Sequence, residues 1–176
     1  LIESPESGRF SDDSYVPLAQ AYLLDNSSDN DDRAMDLLTT VVGGSLGGPN
    51  TDNFRDALIA LGELLYDKGR AAMAKSATGE VPGGIDAGEL FAQAIQRLGE
   101  AEERFPKASR IDGVRFRLAD ACRLSSRVIE AKLGEALPDA QRRELEKTRS
   151  DRLSQGQAMF EAVRHSLESK DTRRRS

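Results

Sequence analysis

The chain has 176 residues, 38% of them hydrophobic and 5% aromatic, with no tryptophan and a net charge of −5. That is enough for one compact domain, and no stretch approaches the ~18 consecutive apolar residues of a membrane span. Residues 1–50 carry nine acidic and two basic side chains and residues 139–176 carry seven acidic and ten basic; an acidic head and a mildly basic tail exclude a nucleic-acid surface, which needs a basic stripe, and do not favour an anionic membrane.

Ala, Leu, Arg and Glu are abundant, and period-two runs of β-branched and aromatic residues are scarce, so the composition predicts helices and no sheet. Residues 1–12 (LIESPESGRFSD) are polar, with Pro5 and Gly8, and read as an extended lead-in that orders only where Leu1, Ile2 or Phe10 docks. Asp13 or Ser14 can cap a first helix with Pro17 in its first turn and Leu18, Ala19, Tyr22 and Leu23 on one face. DNSSDNDD (25–32) stops it, and its acids suit the start of a second helix carrying Ala34, Met35, Leu37, Leu38, Val41 and Val42. GGSLGGPNT (43–51), with four glycines and a proline, is the strongest break; without a Gly-Lys-Ser/Thr ending after a strand it reads as a linker and not as a phosphate loop.

Thr51 or Asp52 caps a third helix through Phe54, Ala57, Leu58, Leu61, Leu65 and Ala72, reaching about Lys75, and TGEVPGGID (78–86) is a turn. The fourth helix covers about 86–105, with Phe91, Ala94, Ile95, Leu98 and Ala101 on one stripe. Pro106 ends it, because proline lacks the amide hydrogen and its ring clashes with the preceding turn. The fifth covers about 109–135, with Val114, Leu118, Ala121 and Cys122 on its stripe. After Gly134 and Pro138, Asp139 caps a sixth helix running to about Glu168, with Leu145, Leu153, Met159, Phe160, Val163 and Leu167 on its inner side and Gly156 within it. KDTRRRS (170–176) reads as a flexible basic tail, which leaves one helical domain over 13–169.

The residues supply no reaction centre. His165, the one histidine, has no partners at metal-ligand spacing. Glu100, Glu102 and Glu103 face solvent opposite the apolar stripe and read as a solvated face, whereas a general acid–base pair needs a pocket. The single cysteine, Cys122, excludes an internal disulfide, and on an apolar stripe it reads as a small buried hydrophobe. The expectation is therefore a non-enzyme without metal or cofactor.

Three segments share a pattern: LAQAYLL (18–24), LGELLYD (61–67) and LADACRL (118–124). Each is followed by a second helix with a small residue and a bulky one four later: Ala34 with Leu38, Ala94 with Leu98, Gly156 with Phe160. Two antiparallel helices approach closely where a small side chain faces a large one, and one pair cannot bury both of its faces, so pairs stack. The pattern resembles the tetratricopeptide repeat (TPR) family, most closely in the middle repeat. Leu61, Gly62, Leu65, Tyr66 and Gly69 stand where that family's first helix and turn have theirs, and Phe91, Ala94, Leu98, Ala101 and Pro106 match its second helix. The match skips residues 71–90, an insertion of 20 residues, and the third repeat has another around 127–146; both read as lengthened helices, with Met73, Ile85, Leu90, Val128, Ile129 and Leu133 forming a second apolar layer. The linker FPKASRIDGVRFRLADA is similar to the variant common in bacterial cell-envelope proteins.

The resemblance implies an all-α, right-handed α-solenoid of about three TPR-like helix pairs, two of them lengthened. It implies a protein or peptide partner held in a concave groove lined by first helices, at the positions Gln20, Leu24, Ile59, Glu63, Tyr66, Phe116, Asp120 and Arg123. Aromatic and arginine residues are the usual anchors of such a groove; the alternative for Tyr66 and Phe116 is burial against the next helix. Glu63 and Asp120 stand where carboxylate-gripping members of the family have basic residues. A second functional reading is a structural spacer or self-associating segment of a larger envelope protein, as a homo-oligomer. The start at Leu1 and the RRRS ending read as a piece of something longer, so the missing signal peptide carries no information; the envelope-type linker leans the reading toward the bacterial periplasm or cell envelope.

Overall fold

The computed structural model describes residues 12–25, 27–44, 48–78 and 86–175. Leu1, Ile2, Phe10, Ile85, residues 45–47 and most of the 78–86 turn lie outside the described residues. Among the described residues there are six α-helices and no strand: α1 Tyr15–Leu23, α2 Ser28–Val42, α3 Asp52–Ala77, α4 Ala87–Arg104, α5 Ile111–Leu133 and α6 Asp139–Arg175. The chain divides into two compact units, 1–61 and 62–176, and the division falls within α3.

In the first unit α1 and α2 pack against each other. Val16 and Ala19 of α1 and Ala34, Leu38 and Val41 of α2 are buried, the three- and four-residue spacing of one helical stripe. The polar run at 25–32 does not separate these helices as widely as its composition suggests. Only residues 24–27 lie between them, because the Ser27 hydroxyl accepts from the Asn30 amide at 3.3 Å and Asp29 and Asp31 stand in the first turn of α2, where negative charge offsets the helix dipole. Ser14 precedes α1 without a side-chain capping bond; a single 3₁₀ turn, Asp12–Ser14, leads in instead. Thr51 caps α3, its hydroxyl accepting from the Phe54 amide at 3.1 Å.

The second unit shows why small residues recur in the sequence. A Cβ placed on Gly62 of α3 would lie 2.7 Å from Leu98 of α4, and one on Gly69 would lie 2.9 Å from Phe91. Leu98 and Phe91 are fully buried, so they fill the space that the glycines leave. On the other side, a Cβ on Gly156 of α6 would lie 3.2 Å from the Ala119 carbonyl oxygen and 3.2 Å from the Cys122 Cβ of α5. Glycine therefore admits α6 onto the backbone of α5, at a helix-propensity cost of about 1 kcal/mol.

α5 packs on both α4 and α6. α4 and α5 are tied by Arg115, which donates to Glu102 at 2.9 Å. α6 runs antiparallel to α5. Near its start, Arg142 donates to the Leu133 carbonyl at 3.0 Å and Arg149 meets Glu130 at 3.3 Å; near its end, Ser166 and Lys170 both donate to Asp112. The Lys170 ammonium holds the Asp112 carboxyl below the usual carboxylate range, against the opposing effect of burial. This anchor explains why helix continues to Arg175, past the expected end near Glu168. The layer expected from the lengthened hairpins forms in part: Leu90 and Ile129 are buried, Met73, Val128 and Leu133 are half-buried, and Lys132 donates to Asp86 at 2.7 Å.

The glycine contacts give opposite expectations for one chemical change. Gly62→Ala gains helix propensity but drives a methyl into Leu98, and should lower unfolding free energy by about 1–2 kcal/mol net. Gly99 faces open space, where an added methyl would meet only the Gln155 amide nitrogen, at 3.9 Å, and Gly99→Ala should raise it by about 0.5–1 kcal/mol. Urea denaturation followed by circular dichroism separates the two signs.

Candidate functional site

The expected groove positions fall in both units and in different environments. In the first unit, Gln20 and Leu24 are exposed, Leu24 to 84%, and Ile59 is buried. In the second unit, Tyr66 is buried and donates its hydroxyl to Asp120 at 2.8 Å. Asp120 also accepts from Arg123 Nε at 2.7 Å. The Arg70 guanidinium lies 5.7 Å from the centre of the Tyr66 ring. Burial, then the hydrogen bond to Asp120, raises the Tyr66 pKa above its ordinary value, so the phenol stays protonated. Glu63 accepts from Arg110 at 2.9 Å and lies 3.2 Å from Arg117. Four of the five second-unit positions are thus held in ion pairs or hydrogen bonds, and Tyr66 takes the buried alternative.

Phe116 behaves differently. It is 53% exposed and meets Phe160 of α6 edge to face, ring centres 5.8 Å apart. Phe160 is 36% exposed, and Leu153 and Leu167, one heptad before and after it, are 43% and 56% exposed. The sequence placed all the apolar residues of α6 on its inner side. The structure sorts them into two lines: Leu145, Met159 and Val163 are half-buried, while Leu153, Phe160 and Leu167 face outward. The two lines are the flanks of one stripe centred near Gly156: Leu145, Met159 and Val163 fall on one side of its direction and Leu153, Phe160 and Leu167 on the other, and α5 covers the first flank more fully than the second.

Between the outward line and α5 lies a groove of about 370 Å³. Ala119 and Gly156 line it, with Leu153 and Phe160 on α6. Its polar residues are Arg123, Gln157 and Glu161, and Gln157 donates to Glu161 at 3.1 Å. Of these seven residues only Arg123 was among the expected groove positions. The signal for the rest was the seven-residue spacing of Leu153, Phe160 and Leu167, beside a glycine with no turn to make. Large apolar side chains left outward around a concave, mostly apolar surface suit contact with another apolar face and offer little to a polar reactant.

Among the described residues no group of three or more His, Cys, Asp or Glu is placed to hold a metal ion, and no helix is long and apolar enough to cross a membrane. His165 is exposed, 3.6 Å from Glu168. Cys122 is fully buried, and burial pushes its thiol pKa up to about 11. No protein-family model, curated protein or solved structure matches the chain.

Two expectations follow from these environments. Tyr66→Phe removes one donor to Asp120 while Arg123 remains, and should cost roughly 1–2 kcal/mol of stability by urea denaturation. Cys122 should resist an aromatic disulfide reagent at mildly alkaline pH in the folded chain and react fully in denaturant, because the thiolate is the nucleophile and burial suppresses it.

Proposed function

We propose that this protein is a non-enzymatic interaction scaffold whose α5–α6 face docks an apolar helical surface. The carrying observation is the outward line Leu153–Phe160–Leu167 beside Phe116, set around a groove floored by Ala119 and Gly156. Two antiparallel helices offer a third the same ridge-and-groove packing that they make with each other. Phe116 and Phe160 are the large, half-exposed aromatics that such interfaces use as anchors. The TPR resemblance is part of this reading. Its support is the close small-on-large approach of α3 to α4, at Gly62 with Leu98 and Gly69 with Phe91, and the close approach of α6 to α5 at Gly156, the helix pairs in which the repeat pattern was found. The docking face proposed here borders the expected concave positions at Asp120 and Arg123 but is centred on α6.

A panel of amphipathic helical peptides, measured by fluorescence anisotropy, tests the reading. Some peptides should bind the wild-type chain, and the Phe116→Ala, Phe160→Ala double variant should weaken them by about thirtyfold or more, the cost of losing a central anchor. Both side chains are exposed enough that the variant keeps its helix content. Equal binding to both proteins would remove the groove assignment.

A further inference from the structure

The last turns of α6 lie on α5 with almost no apolar cover. From Arg164 to Arg173 every side chain but Ser166 is exposed. Leu167, the last member of the outward line, belongs to this stretch and is 56% exposed. Burial therefore stabilises these turns little. Composition adds little more, since Ser169, Asp171 and Thr172 are poor helix formers and an acid near the C-terminal end opposes the helix dipole. A helix end of this kind frays turn by turn unless something ties it down.

The tie is Asp112, in the first turn of α5. Ser166 and Lys170 are four residues apart and so share one face of α6. Ser166 donates to Oδ2 of Asp112 at 2.8 Å, and Lys170 donates to the same oxygen. The carboxylate is 19% exposed and the ammonium 58%. A charge-assisted bond to a carboxylate largely shielded from water is stronger than an open surface pair. Arg115, the other cation near Asp112, stands 3.9 Å away and is engaged by Glu102 of α4 at 2.9 Å. Leu167 sits between the two donors, so its place in line with Phe160 depends on a contact that it does not make itself.

We infer that residues 164–175 form a strap that opens as one unit about an electrostatic latch at Asp112, and that the latch positions Leu167 in the docking face. The second clause rests on the docking reading above; the strap itself does not. Hydrogen–deuterium exchange of the full chain, read by mass spectrometry, tests the strap. Lys170→Glu sets a second carboxylate against Asp112 and should speed exchange over 164–175 about tenfold or more, leaving 140–158 unchanged, while Lys170→Arg should exchange as the wild type does. Salt carries the electrostatic signature. At about 1 M sodium chloride the strap should exchange faster in the wild type, where an attraction is screened, and slower in Lys170→Glu, where a repulsion is screened. An unchanged rate in Lys170→Glu overturns the strap, as does a rise spread over all of α6 or a salt response of one sign in both proteins. Binding of the helical peptides tests the positioning. Lys170→Glu should weaken it about three- to tenfold, the loss of one apolar contact at the edge of the face. Asp112→Ala, which changes the net charge the other way, should weaken it in the same direction. Released turns with unchanged affinity remove Leu167 from the docking face and overturn that clause. If the peptides bind none of these proteins the docking reading falls, and exchange still decides the strap.

Discussion

The second unit depends on how closely α6 approaches α5, and one residue without a side chain sets that distance. At Gly156 the two backbones come near enough that even a methyl group would press on the Ala119 carbonyl. A helix held that close cannot turn freely about its own axis. Met159 and Val163 fall on the flank of the Gly156 stripe that α5 covers, and Leu153, Phe160 and Leu167 on the flank at its open edge. Exposure of the aromatic line follows from the packing that buries the rest of the helix. Glycines also set the spacing of α3 and α4, where Gly62 and Gly69 face the bulky Leu98 and Phe91.

The polar groups fix register where the apolar ones fix distance. Asp112 at the start of α5 accepts from Ser166 and Lys170 near the end of α6, and Arg142 near the start of α6 caps carbonyls at the end of α5. With both ends tied, α6 cannot slide, and the groove between Arg123 and Glu161 keeps its shape. Tyr66 and Asp120 do the same between α3 and α5. Exposed ion pairs such as Arg164 with Glu168 contribute little to folding.

Much of this was legible in the chain. Period-3.6 stripes, Pro106, Gly134 and the glycine-rich breaks placed six helices, and the recurring small residues marked the close approaches. The start of α2 was less legible, because Ser and Asp favour both loops and helix starts and only the cap at Ser27 decides between them. The end of α6 was hidden for another reason: its last turns are held by a carboxylate 58 residues away in sequence. The site was the least legible part. Phe160 and Val163 look equivalent as apolar residues of one helix, and only the position of α5 to one side of the stripe separates the more covered line from the more open one. Tyr66 matched a recognition position by spacing, but its hydroxyl has a partner on α5, Asp120, which no local pattern reveals.

The spacing of Leu153, Phe160 and Leu167 has a geometric result of its own. Seven residues fall about 20° short of two full turns of an α-helix, so the line drifts by about 40° from its first member to its last. A straight rod laid along α6 would leave the line at one end or the other. Any helix that keeps all three side chains in contact must wind around α6 in a shallow left-handed supercoil, so the bend of the bound rod is written into the spacing of the side chains that hold it.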